Sequence, residues 1–137
     1  MKKLILLTIA ILMTSSIAHA ECKGITFQGK SGASYCLSKQ QMNWYSASNW
    51  CQAQGMNLID VKKICGSLTA SPCSEFKLSD EEKTKIKSQG GTPYWSWSGI
   101  SWTVSAPYCV NIADGGFGTS GYGNPDRSVT YRYALCQ

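Results

Sequence analysis

Between Cys22 and Cys36 the apolar positions fall in two short pieces, residues 25–27 and 34–37, separated by Gly29, Lys30, Ser31 and Gly32. Extended pieces around a turn of that composition predict a β-hairpin with a cysteine at each open end. The next stretch, "MNWYSASNWCQAQG", changes period. Residues 42–45 fit an extended segment, after which Ser46 suits the cap of a helix over residues 47–54, and Gly55 supplies its left-handed stop. Ala47, Trp50, Cys51 and Gln54 then share one helix face, which makes Trp50 and Cys51 core residues.

"MNLIDVKKIC" reads as a buried strand or turn, and "GSLTASPC" as a loop that Cys65 and Cys73 could close. The clearest helix is "LSDEEKTKIKSQGG", where Ser79 and Glu82 match a capping box, acids fill the first turn and lysines the later ones. Gly90 and Gly91 end it. Its apolar anchors are chiefly Leu78 and Ile86, so it belongs on the surface. Strand-like pieces follow at residues 94–99, 101–104 and 108–112. Five glycines in "ADGGFGTSGYGN" predict a long irregular loop, because no regular element tolerates them well. In "RSVTYRYALC", Val129, Tyr131, Tyr133 and Leu135 alternate with Thr130, Arg132 and Ala134, which predicts a final strand with Cys136 just behind it. The class is α+β, with a mostly antiparallel sheet, two short helices and one long loop.

The first 20 residues change the picture of where this domain works. Lys2 and Lys3, the run "LILLTIAILM" and the Ala18-His19-Ala20 end read as a secretory signal peptide, residues 1–20, of bacterial type. The apolar run is about half of what a bilayer span of about 20 residues needs, so no membrane insertion is expected after signal cleavage. Glu21 directly before Cys22 does not fit a lipoprotein anchor. Residues 21–137 form one domain, expected to be secreted or periplasmic.

Without Lys2 and Lys3, 11 of the 13 basic residues face 8 acidic ones, a net charge of +3, and the lysines of residues 77–87 are interleaved with Asp80, Glu81 and Glu82. That is a solvated surface and not a nucleic-acid footprint. All seven cysteines lie beyond the signal, and no C-x-x-C pair occurs, so disulfides are favoured over metal. Seven is odd, and one thiol stays free, pairs with another chain or pairs elsewhere. The one histidine, His19, is in the signal. Its loss removes Ser-His and Cys-His nucleophiles and the usual zinc ligand together. Asp60, Glu75, Asp114 and Asp126 are the acids outside the charged helix and the N-terminus, and an enzyme built on them is not expected.

The ordered set "WYSASNWCQAQGMNL", "WSG" and "YALCQ", preceded by the cysteine hairpin "CKGITFQGKSGASYC", resembles the C-type lectin-like domain over nearly all of residues 22–137. The resemblance implies a bridge between Cys51 of the first helix and Cys136 of the last strand, with Cys22–Cys36 as the hairpin bridge and Cys65–Cys73 as a local clasp. Closing about 84 intervening residues would stabilise by roughly 4 to 5 kcal/mol in the chain-entropy model. Cys109 is left unassigned. It stands where the family has one half of a second bridge, but Ser128 occupies the place of the other half; pairing of Cys109 with Cys65 or Cys73 is the alternative.

Family members that bind sugar through calcium carry Glu-Pro-Asn or Gln-Pro-Asp in the long loop. Here only Asn124-Pro125-Asp126 occurs, close to the end, so calcium is not expected as a cofactor and no other cofactor is implied. Aromatic rings beside amide, acid and guanidinium groups offer another route to a ligand. Asn111, Asp114, Phe117, Tyr122, Asn124, Asp126 and Arg127 are the candidate binding residues, although most of the tryptophans belong to the core. The expected function is a non-enzymatic module that binds a glycan or a protein surface. The alternative is a structural or assembly subunit of a surface appendage or toxin complex, with an oligomer joined through Cys109.

Overall fold

The first hairpin forms where the alternation placed it, with β1 at Ile25–Gln28 and β2 at Ser34–Met42 in antiparallel register. The computed structural model describes residues 20–66, 72–103, 106–118 and 128–137. Five further elements build the sheet and its coverings before the last strand: α1 (Trp44–Gln52), α2 (Val61–Cys65), α3 (Asp80–Ser88), β3 (Trp95–Thr103) and β4 (Ala106–Asn111). The two-residue β5 (Phe117–Gly118) and β6 (Arg132–Cys136) complete it. The sheet has six strands in the order β1-β2-β6-β3-β4-β5, and every pairing is antiparallel except β3 with β6. The α+β class and the mostly antiparallel sheet are as expected, with three helices where two were foreseen.

Several boundaries differ from the sequence expectation. The first helix starts at Trp44, not Ala47, because Asn43 takes the cap: its Oδ1 accepts from Ser46 N at 2.8 Å. Asparagine caps as well as serine, and an earlier cap adds helical residues. Gly55, at φ 74°, still turns the chain just beyond the helix. The segment expected as a strand or turn makes a single bridge, Leu58 to Cys136, and then winds into the five-residue α2, whose cap is Asp60 Oδ1 accepting from Lys63 N at 2.9 Å. A helix this short leaves little periodic signal. In α3 the Ser79 hydroxyl oxygen accepts from Glu82 N, but Glu82 Oε2 is buried without a partner, so the reciprocal arm of the box is not made through that oxygen. Only Ile86 of α3 is buried, as befits a surface helix.

The sheet is covered on both sides, and each side has its own core. Ile25, Phe27, Leu37, Leu135, Val110 and Ile112 point to one face, where they meet Ile59, Val61, Phe76, Leu78 and Ile86. Cys36, Trp97, Cys109, Ala134 and Cys136 point to the other, beneath Ala47 and Cys51 of α1. Placement of β6 inside the sheet explains a failed expectation. Ala134, Leu135 and Cys136 are all fully buried, one or another on each face, whereas Val129 and Tyr131 precede the strand and are 67% and 55% exposed. Likewise β3 runs on through Gly99 to Thr103, its register with β4 shifting after Trp97, instead of breaking into two pieces.

Three disulfides hold the frame: Cys22–Cys36, Cys51–Cys136 and Cys65–Cys73. Cys36 and Cys136 face each other across β2 and β6, so the first two bridges lie side by side on the α1 face. The pairing Cys51–Cys136 spans 85 positions and fastens the first helix to the last strand. Cys109 is free and buried.

Candidate functional site

Residues 119–127, where the sequence predicts the long irregular loop, lie outside the described residues, between β5 and the residues that lead into β6. Asn43 Nδ2 donates to Ser128 O at 3.4 Å, which places the start of α1 beside Ser128. Met42 pairs with Arg132 in the adjoining ladder. Near Asn43 in sequence Tyr45 is 51% exposed, and after Ser128 come the exposed Val129 and Tyr131; Trp44 packs edge-on against Tyr45 with ring centroids 5.4 Å apart. Large exposed apolar groups on a disulfide-held rim are suited to contact with another molecule. Sequence alternation put Val129 and Tyr131 on one side of the last strand with Tyr133 and Leu135, but the strand begins only at Arg132 and both residues are exposed before it.

The candidate residues fall into two groups. Asn111 and Asp114 belong to the β4–β5 turn, where they serve the backbone: Asn111 Oδ1 accepts from Ala113 N at 3.0 Å and Asp114 Oδ1 from Gly116 N at 2.8 Å. Asn111 is 9% exposed, so it is a turn residue and not an open ligand group, while Asp114 is exposed. Gly115, at φ 79°, could carry no side chain, because a Cβ would stand 2.2 Å from Cys73 O. This close approach, with Cys73 N donating to Gly115 O at 2.7 Å, seats the Cys65–Cys73 clasp on the turn. Phe117 enters β5 opposite Val110. Tyr122, Asn124, Asp126 and Arg127 lie outside the described residues.

The acids considered for catalysis are occupied in the same sense. Glu75 follows Cys73 in a 3-10 turn, Ser74–Phe76, and its carboxylate accepts from Ser31 N at 2.6 Å, from the Ser31 hydroxyl and from the Tyr35 hydroxyl at 2.8 Å. Burial alone would raise its pKa, but these donors outweigh burial and hold the carboxyl below its usual range. The Tyr35 hydroxyl, buried and facing that charge, keeps its proton well above the ordinary value. Asp60 caps α2 through one oxygen.

Cys109 lies opposite Trp97 in β3 and Gly118 in β5, and is 5% exposed. Burial pushes its thiol up to about 11, against the opposing pull of the Arg132 guanidinium. Arg132 arrives from β6, 23 positions along the chain, so the local sequence around Cys109 could not announce it. A thiol held neutral and covered is a poor nucleophile and is not presented to a second chain in this conformation.

Among the described residues no three His, Cys, Asp or Glu side chains gather as a metal set, and no helix is long and apolar enough to cross a membrane. The three bridges fit an oxidising compartment. Compared with protein-family models and with curated proteins, the chain matches none.

Proposed function

We propose that this protein is a non-enzymatic binding module of the C-type lectin-like kind, secreted or periplasmic, which grips a glycan or protein surface at the rim carrying its long loop, without calcium. The observation behind this reading is the junction of α1 and the loop return. Cys51–Cys136 fixes the helix to the last strand, Asn43 at the start of that helix bonds Ser128, and the neighbours in sequence of these two residues include the exposed Tyr45, Val129 and Tyr131. A rigid frame lowers the ordering cost of binding, and exposed aromatic rings supply area. Phe117, Tyr122, Asn124, Asp126 and Arg127 extend the same rim in sequence.

A glycan array probed with and without calcium tests it, in parallel with Tyr131→Ala and Tyr122→Ala. Calcium-independent hits weakened about tenfold or more by either change are expected for a glycan ligand, since losing one central aromatic contact costs about 2 kcal/mol. An empty array directs the search to a protein partner. Hits that require calcium, or that ignore both substitutions, would overturn the reading.

A further inference from the structure

A cleft of about 300 Å³ opens between Trp44 and Ser48 of α1, residues 57–60 and Gly99 of β3. It contains none of the loop residues discussed above. Its origin is topological: β3 and β6 pair in parallel only at Ser96–Tyr133 and Trp97–Ala134, and beyond that point the connecting segment crosses between them. Asn57 and Gln137 exchange backbone hydrogen bonds at 3.1 and 2.9 Å, Ile59 N donates to Leu135 O at 3.0 Å, and Gly99 N donates to Ile59 O at 2.8 Å. The wedge is thus anchored on both sides. Gly99 adds no side chain to the floor, where a Cβ would already stand 3.2 Å from Leu58 O.

The lining has an uneven chemistry. Trp44 supplies an aromatic wall, half-buried and oriented by donating Nε1 to Ser98 O at 3.0 Å. Ser48 and Asn57 line the cleft and their side chains make no hydrogen bond among the described residues, while Asp60, exposed at its edge, accepts from Lys63 N through Oδ1. An indole face beside a hydroxyl, an amide and a carboxylate oxygen matches a ring with one C–H face and several hydroxyls at its edge. The volume sits at the low end of small-molecule sites, which run from about 300 to 1,000 Å³, so it admits one ring and not a chain. Charge narrows the class further: the lone carboxylate is followed two and three positions on by Lys62 and Lys63, whose charges oppose the attraction of a cation.

We propose that this cleft is a binding site for a single uncharged pyranose unit, independent of the loop rim. Its hydroxyls would bridge Ser48, Asn57 and Asp60 Oδ2 while the ring lies on Trp44.

The test uses the full chain and a panel of methyl pyranosides, neutral, amino and sialylated, followed by tryptophan fluorescence and by amide shifts of residues 44–60 and of Gly99. Neutral members should saturate with millimolar affinity and move the Asn57 and Gly99 signals. Asn57→Ala and Asp60→Asn should each weaken binding about tenfold, the latter with α2 still capped because asparagine is itself a good cap. Ser48→Phe, which fills the cleft from a half-exposed helix position, should abolish it. No saturable shift with any member, equal affinity for the charged members, or unchanged binding by Ser48→Phe would overturn the site. Because Tyr131→Ala leaves this cleft intact, loss of binding in that variant alone would favour the rim and count against the cleft; binding lost only in the cleft variants would do the reverse.

Discussion

The two faces of the sheet are held by different means. On the face under α2 and α3, fourteen buried residues form a continuous core, including Phe27, Tyr35 and Phe76, whose rings meet at 5.6 and 5.0 Å. On the face under α1 the buried set has eight members, and four of them are cysteines. Small side chains remove little apolar area from water, so this face cannot rely on burial alone. Two adjacent disulfides take over there. The difference explains how a rim with exposed aromatic groups can be kept in place beside a thin core.

The comparison is broken most directly by removing the covalent side. Replacing Cys51 and Cys136 together by alanine should cost roughly 4 to 5 kcal/mol, a large part of a small domain's stability, measured by urea denaturation under oxidising conditions. A loss below about 1 kcal/mol would show that the α1 face holds without its bridge. On the opposite face, Phe76→Ala should cost about 3 to 5 kcal/mol by cavity formation while all three bridges remain, read by the same titration.

The Glu75 cluster sharpens the contrast, because it ties the β1–β2 turn to the 3-10 turn by charge-assisted hydrogen bonds on the face under α2 and α3. Glu75→Gln should cost about 2 kcal/mol at pH 7. The folded carboxyl lies below its ordinary value, so its stabilisation is fully present above the unfolded value of about 4.3 and disappears as pH falls through the folded one. Wild type and variant should therefore converge in acid, and parallel pH curves would remove the charge from the account. The smallest effect concerns Cys109. Native protein at pH 8 should label with iodoacetamide far more slowly than unfolded protein, since burial holds the thiol neutral; equal rates would show that the α1 face opens readily.

Local patterns were legible where local forces decide. The cysteine hairpin and the Ser79-capped helix with Ile86 as its anchor are short-range arrangements written in turn residues and caps, while Cys65 and Cys73 were marked only as able to close a loop. Asn43 shows the limit: Ser46 was read as the cap, yet asparagine caps as well as serine, and the helix starts three residues earlier. The five-residue α2 was missed because it spans little more than one turn of period.

Composition and spacing alone determined an α+β chain rich in cysteine, with an apolar run near its start and no histidine after His19. Tertiary structure decided what alternation could not, since a residue's face depends on its strand's neighbours. Placing β6 at the centre buried both sides of Ala134, Leu135 and Cys136 and turned Tyr131 outward, brought Arg132 to Cys109, and opened the cleft at Gly99 where parallel strands part. Long-range pairing is set by how the whole core closes, and no window of neighbouring residues contains it.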